Sequence, residues 1–230
     1  PSRAAAREHL FHLYRPSPGD VLVDVGAGVG WDTLEFSHAV GPSGRVIAIE
    51  AHPTTFNRLQ RMCELNGLDN VECWHFAAFD RKGSVSIQDG SNDLANRVCT
   101  SGGGVLDVEA RTLDDVLCDV LKIETIALLK MNIEGAEVAA LAGSERTLSR
   151  TQVAAIAAHT FRADQGEHEC FDTRDAVFKT LQENGFDIST RDHDSRPWVR
   201  DHIHGSRHSR SCGDTSKRAG SALNLALEGK

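Results

Sequence analysis

The sequence predicts an α/β protein, a doubly wound, mostly parallel seven-stranded sheet with helices on both faces. Three observations carry this. Short apolar runs alternate with helical patterns from Val21 onward, the signature of a covered parallel sheet. The first run, "DVLVDVG" (20–26), is nearly unbroken in apolar character, as a strand buried on both sides must be. A glycine cluster, "GAGVG" (26–30), follows it and leads into a helical pattern, so a backbone loop can approach a ligand at a helix N-terminus.

The elements follow in order. Residues 1–19 are expected to form a leading helix. "GWDTLEFSHAV" (30–40) is the helix after the first strand, "GPSG" (41–44) a turn, and "RVIAIE" (45–50) the second strand. Residues 53–65 form a helix with Phe56, Leu59 and Cys63 on one face, Pro53 in its first turn and "NG" (66–67) at its end. "VECWHFAAF" (71–79) is the third strand, and 83–110 is an irregular hairpin excursion rich in Gly, Ser and Asn. "TLDDVL" restores helical order, with Thr112 and Asp115 placed as a capping box. "IALLKMNI" (126–133) is the fourth strand, 134–148 its helix, and "VAAIAAHTF" (153–161) the fifth strand. A helix over 172–186, a strand near 186–190 and a last strand "ALNLALE" (222–228) complete the count. Between the last two strands, 191–220 holds seven Lys/Arg against four Asp and several histidines, and is expected to be a long basic loop.

Composition limits what such a chain can be. Its 230 residues, 40% hydrophobic and 25% charged, suit a single domain spanning 1–230. No apolar run approaches the roughly 20 residues of a membrane span, and no signal segment is visible, so no membrane is expected. Six cysteines without a CxxC pair suggest neither a zinc site nor a disulfide framework, and a reduced, cytoplasmic protein is expected. The net charge of −8 argues against nucleic acid as a partner.

The glycine loop has an unusual companion. A nicotinamide-binding turn reads G-x-G-x-x-G after a plain apolar strand. Here the spacing is G-x-G-x-G, and Asp24 precedes it by two residues. A carboxylate there can organise the loop, favours a cationic ligand and would repel a pyrophosphate. S-adenosylmethionine, with its ammonium and sulfonium, is the expected cofactor. Glu50 ends the second strand, where an acid can accept hydrogen bonds from both ribose hydroxyls of a nucleoside.

Lined up, these residues show a chain that resembles the FkbM-like family of S-adenosylmethionine-dependent methyltransferases. The resemblance runs from about Pro18 to Phe186 through "PGDVLVDVGAGVGWDTL", "VIAIEAHPTTFNRL" with "NGLDNV", "AAFDRKGSVSI", "RTLDDVL" and "LLKMNIEGAEVAALAGSERTL". It implies a class I methyltransferase fold and O-methylation (EC 2.1.1.-) of a hydroxyl on a sugar, polyketide or related metabolite. It further implies that Gly26, Ala27, Gly28 and Gly30 wrap the methionine part of the cofactor. Glu50 would hold the ribose, Ala51 would lie on one face of the adenine and Ala77 near its edge. The chain departs from the family in "KMNIEGAE", where Asn132 stands in place of an aspartate, and in "EAHP" after the second strand. Asparagine can hydrogen-bond but cannot act as a base or a strong metal ligand.

The catalytic candidates are Asn132, Glu134 and His159. His159 ends a strongly apolar strand and titrates in the range a base needs, and it is the preferred proton acceptor. The alternative is a histidine satisfied beneath a loop. Glu134 is expected to open a helix, where the N-terminal field lowers its basicity, and Glu137 to be structural. His202, His204, His208, Cys212 and nearby His193 could be drawn as a metal site, but their spacing matches no dependable motif, and no metal is expected. The basic loop is expected to serve instead as a lid or contact surface for a small-molecule, anionic acceptor. Other readings are an RNA methyltransferase, an oxidoreductase using a nicotinamide cofactor and a cofactor-binding protein without catalysis.

Overall fold

The structure, a computed structural model, describes residues 3–87, 98–99, 106–158 and 172–207. The strands in chain order are β1 (Val21–Val25), β2 (Arg45–Glu50), β3 (Val71–His75), β4 (Ala77–Ala78), β5 (Gly83–Ile87), β6 (Val98–Cys99), β7 (Leu106–Arg111), β8 (Ile126–Met131), β9 (Thr151–Ala157), β10 (Asp187–Thr190) and β11 (His202–Ser206). The helices are α1 (Arg3–Leu10), α2 (Trp31–Val40), α3 (Pro53–Asn66), a π-wound segment (Asp114–Val120), α4 (Glu137–Ala142), α5 (Glu145–Arg150), α6 (Arg174–Glu183) and α7 (Pro197–Arg200). The main sheet has the order β10-β11-β9-β8-β1-β2-β3, and β4, β7, β5 and β6 make a smaller one. In the main sheet β11 alone is antiparallel, to both β9 and β10. Among the described residues no helix is long and apolar enough to cross a membrane.

Strand alternation builds both faces of the core. Val23 and Val25 point into one apolar layer with Ile47, Ile49, Leu129 and Met131, covered by the π-wound segment, α4, α5 and α6 through Leu117, Leu141, Leu148 and Leu181. Leu22 points the other way, into a layer with Phe36 and Val40 of α2 and with Leu10, Phe11 and Tyr14 of the N-terminal segment. Asp24, two residues after Leu22, is therefore carried onto the α2 side and is fully buried there. The register sets Asp24 opposite Lys130 on β8 and Ala48 on β2.

Several boundaries differ from the sequence expectation. The leading helix ends at Leu10 rather than extending over residues 1–19. The third strand divides at Phe76: β3 stays in the main sheet, while β4 pairs with β7 in the small one. The excursion after Gly83 is itself a sheet, in which β5 pairs antiparallel with β7 over five residue pairs from Gly83↔Ala110 to Ile87↔Leu106. The capping box at Thr112 is half formed. Thr112 Oγ1 accepts from Asp115 N at 3.0 Å, while the Asp115 carboxylate binds Arg111. The expected helix 134–148 is two, broken at Gly143, where an added Cβ would collide with the Phe79 carbonyl.

The largest correction concerns 191–220. Its described part is a loop over 191–196, but Pro197–Arg200 is a helical turn, and His202–Ser206 is the strand inserted between β9 and β10. That strand takes the place in the sheet expected for 222–228, which lies outside the described residues.

Candidate active site

A cleft opens at the carboxyl ends of β1, β2 and β8. Here the chain order reverses, because β1 has the next strand on one side and the much later β8 on the other, the usual position for a ligand in an open α/β sheet. Gly26 and Gly28, Glu50, Ala51 and His52, Phe76, Ala77 and Ala78, Ile87, and Asn132, Ile133 and Glu134 form its walls. The small sheet supplies one side. Ile87 and Val108 pack on Ala77, with Ala51 against them.

The three glycines of the first loop have different reasons to be there. Gly26 has φ 74°, and a Cβ would run into the Asn132 carbonyl, so it allows β1 and β8 to stay close at the cleft floor. Gly30 has φ 94°, and its missing side chain leaves room for Met62 and Leu59 of α3. Gly28 has φ 57° and nothing within 4 Å of where a Cβ would stand. That open space faces the cleft, which Gly28 lines.

Asp24 does not face the cleft. Its Oδ2 accepts from Thr33 Oγ1 at 2.6 Å, and its Oδ1 accepts from Lys130 Nζ at 2.8 Å. Lys130 Nζ also donates to the Gly26 carbonyl at 2.9 Å and lies 3.6 Å from Asp32 Oδ2. Burial alone would pull the Lys130 ammonium down, but the charges of Asp24 and Asp32 outweigh it and hold the group above its ordinary range. The expected organising role of Asp24 is met through this pair. The expected direct attraction of a cation is not, because the protein's own lysine already balances the charge. Lys130 was missed in the sequence, although a lysine inside the apolar run "IALLKM" was the signal for it.

Glu50 is arranged otherwise. Its Oε2 accepts from Gly28 N and its Oε1 from His52 N, both at 2.9 Å, so one carboxylate ties the loops after β1 and β2 together. Burial pushes its carboxyl above the ordinary range, opposed by those two backbone N–H groups. Each oxygen keeps a second lone pair, and Glu50 lines the cleft. Behind it, His52 caps α3 by accepting from Thr55 N at 3.4 Å. His75 stacks on Phe56 with ring centroids 4.8 Å apart and lies 3.0 Å from the Ala51 carbonyl, which steadies the segment carrying Ala51.

Opposite Glu50, the segment after β8 presents Asn132 and Glu134 to the cleft. Asn132 Oδ1 is buried and accepts no hydrogen bond from the described residues. Glu134 has φ 53° and Gly135 φ 96°, so the chain turns through the left-handed region before α4 begins. For a non-glycine residue this costs about 1–3 kcal/mol and is found where the surroundings over-determine a site. Glu134 is therefore not the first residue of a helix, and the argument that a helix field weakens it falls away. Glu137 has that position instead. Its carboxylate folds back to accept from Ile133 N at 3.2 Å and Gly135 N at 3.0 Å, a structural role as expected.

Of the expected cofactor residues, Gly26, Gly28, Glu50, Ala51 and Ala77 meet at the cleft. Ala27 instead packs beneath the loop with Ala48 and Leu59, and Asp24 and Gly30 support the loop from behind. His159, His208 and Cys212 lie outside the described residues. His202 and His204 stand in a buried strand, and among the described residues no group of three or more His, Cys, Asp or Glu is placed to hold a metal ion. Of the described arginines of the supposed basic loop, Arg191 and Arg196 pair with Glu8 and Asp194, Arg200 pairs with Asp201, and Arg207 donates to the Leu148 carbonyl. Phe76 and Ile87 of the cleft wall carried no sequence signal beyond being apolar.

Comparison with known proteins agrees with this geometry. The sequence model of the methyltransferase FkbM domain matches residues 24–188. The 2-O-methyltransferase NoeI of Sinorhizobium fredii (strain NBRC 101917 / NGR234) is 27% identical over 164 residues, 64% of this chain and 65% of NoeI. Methyltransferase 1 of Beauveria bassiana (strain ARSEF 2860) is 26% identical over 150 residues, 56% of this chain and 60% of that protein. The chain thus spans less than two thirds of the length of these relatives. Among solved structures, the FkbM methyltransferase of Methylobacillus flagellatus KT superposes with a TM-score of 0.57 at 21% identity, over 85% of this chain and 45% of that one. Aeropyrum pernix fibrillarin, in complex with natively bound S-adenosyl-L-methionine, gives 0.50 at 16% identity, over 88% and 73%. With the family match covering most of the chain and the strand order of a class I methyltransferase, this protein belongs to the FkbM family of methyltransferases.

Proposed function

We propose that this protein is an S-adenosylmethionine-dependent O-methyltransferase acting on a hydroxyl of a small-molecule acceptor. The observation that carries the reading is Glu50, a buried carboxylate bonded by two backbone N–H groups yet still open to the cleft through its remaining lone pairs. The cofactor fits the residues present. Glu50 would hold the two ribose hydroxyls, Ala51 and Ala77 would flank the adenine, and Gly26 and Gly28 would border the methionine part, with Gly28 leaving open space on the cleft side. When bound, S-adenosylmethionine supplies an electrophilic methyl group on a sulfonium. The NoeI relative, named as a 2-O-methyltransferase, supports oxygen as the acceptor atom.

The chain's own part is to place an acceptor hydroxyl and take its proton. Asn132 Oδ1, a buried acceptor with no partner among the described residues, accepts a hydrogen bond from the bound substrate. Leaving such a group unpaired costs about 1–3 kcal/mol, so substrate binding recovers what the folded protein gives up. Glu134, on the same wall, is within the cleft where the proton must leave and is held there by its left-handed turn. With the helix-field objection removed, Glu134 stands beside His159 as the candidate base. A positioned base contributes roughly 10²- to 10⁴-fold to turnover, and holding the two reactants in line contributes the rest.

Calorimetry with S-adenosylmethionine, S-adenosylhomocysteine and NAD tests the cofactor. Heat is expected with the first two, and binding of NAD alone would overturn the proposal. Turnover of a hydroxylated acceptor at saturating cofactor then separates Glu134→Gln from His159→Ala. A loss of 10²-fold or more in kcat with unchanged cofactor affinity identifies the base. If neither variant loses turnover, alignment alone drives the transfer.

A further inference from the structure

Away from the cleft, four histidines meet between the first helix and the last described strand. His9 of α1 packs edge-on against His202 and His204 of β11, with ring centroids 4.1 Å and 5.8 Å apart. His12, just beyond α1, lies 5.1 Å from His204. His202 and His204 are two apart on one strand and so face the same side, toward α1. His9 and His204 are both buried, and among the described residues neither ring nitrogen of either has a hydrogen-bond partner. His202 differs, since its Nδ1 donates to the Trp198 carbonyl at 2.6 Å. His12 Nε2 lies 3.4 Å from Ser189 Oγ on β10.

The surroundings of this seam are cationic as well as acidic. Glu8 of α1 binds Arg191 and Arg196, and Asp194 binds the same two arginines. On the α2 side Arg7 donates to Glu35 at 2.9 Å. Glu8, Asp194 and Glu35 are thus each already held by an arginine. An imidazolium carries two N–H donors, and here neither would find an acceptor. It would also place a positive charge beside Arg191 and beside a second imidazole.

We propose that the seam between α1 and β11 is an acid-sensitive latch, in which protonation of His9 and His204 releases the N-terminal helix from the sheet. Burial, reinforced for His9 by the charge of Arg191, holds the His9 imidazole down at about 4; burial and the neighbouring His9 hold His204 at about 3. Once the helix leaves the strand, His9 on the helix and His204 on β11 are both exposed and return to an ordinary value near 6.5. The sign follows. Docking is fully stabilised above pH of about 6.5 and loses stability as the pH falls from there toward 4, because only the released form takes up protons. Between pH 7.5 and 5.5 each histidine favours release by roughly tenfold, and the two together by roughly 100-fold. Release also withdraws Phe11 from Phe36 and Arg7 from Glu35, both on the helix that begins at the glycine loop.

The test is amide hydrogen exchange of residues 7–14 in the whole chain without added ligand, corrected for the intrinsic effect of pH and referenced to the amides of β1 and β8. It reads the helix directly, so its outcome is independent of the methyltransferase reading. Opening is expected to rise roughly 100-fold between pH 7.5 and 5.5, about tenfold in His9→Phe or His204→Phe, and hardly at all in the double variant. A wild-type ratio within threefold, or a double variant that keeps the full pH response, overturns the proposal. Should the double variant not fold, ring titration of the wild type by NMR decides: His9 and His204 must stay neutral to below pH 5.5 while α1 is docked, and a ring that titrates near 6.5 in the docked protein sinks the latch.

Discussion

Two neighbouring parallel strands, β1 and β2, each bring a buried carboxylate to the same end of the sheet, and the two have opposite fates. Asp24 is one residue short of the strand end, alternates under α2 and is fully buried between Thr33 and the Lys130 ammonium, away from the cleft. Glu50 is the last residue of its strand, turns into the cleft and is bound only by backbone N–H groups of the two loops it joins. A side-chain cation neutralises a carboxylate and makes it scaffold. Two backbone donors orient a carboxylate without cancelling its charge, and leave it able to take a ligand.

The comparison can be broken most forcefully at Lys130. Lys130→Met leaves Asp24 buried and uncompensated, and the expected loss is about 3–5 kcal/mol of folding stability. Joining it to Asp24→Leu should restore much of that stability, while cofactor affinity stays reduced because the Gly26 carbonyl has lost its donor. Urea unfolding of the two variants side by side makes the measurement. If the single variant is as stable as the parent, the pair is not the scaffold described here.

Glu50→Ala should show the reverse pattern. Cofactor affinity is expected to fall by about 1.5–3 kcal/mol, the range for hydrogen bonds to a charged group, with a smaller change in stability. Acidification should mimic it. Because burial raises the Glu50 carboxyl, binding is expected to weaken at a higher pH than an ordinary glutamate would impose. Calorimetry across pH 5 to 8 on parent and variant checks both (about the span over which a raised carboxylate would show itself). Equal affinity in a folded Glu50→Ala would move the ribose site elsewhere.

The smallest expected effect separates two glycines of one loop. Gly28→Ala meets no atom and costs only its left-handed backbone, about 1–2 kcal/mol. Gly26→Ala meets the Asn132 carbonyl as well and should be clearly worse in thermal denaturation. Equal losses would mean that the strand end yields more readily than the close approach of β1 and β8 suggests.

How far the sequence revealed these features depended on whether a residue's partner was local. β2 was legible to the residue, because an apolar run bounded by "GPSG" and "EAHP" leaves no other ends. The place of Glu50 at the cleft was legible because it ends an apolar strand just where the chain turns. Asp24 was half legible: its place ahead of the glycines was plain, but its partner lies 106 residues away on β8. β11 was hidden because "HIHGS" looks polar, and it is the packing of α1 over it that buries the histidines of that segment. The break at Phe76 was hidden because both halves of the run are equally apolar, and a change of sheet leaves no mark in hydropathy.

The insertion of β11 also sets an order of assembly during synthesis. As the chain leaves the ribosome, β9 has its β8 side paired early, but its other edge stays open, and β10 has nothing to bind, until His202–Ser206 emerges. The first helix is only partly docked until then: Leu10 and Phe11 pack with Leu22 and Phe36, whereas His9 has its partner on that same late strand. The nascent domain therefore carries an unprotected β9 edge from the time β9 emerges until β11 follows it. That is the interval in which a chaperone would be needed and a stalled chain would be most prone to aggregate.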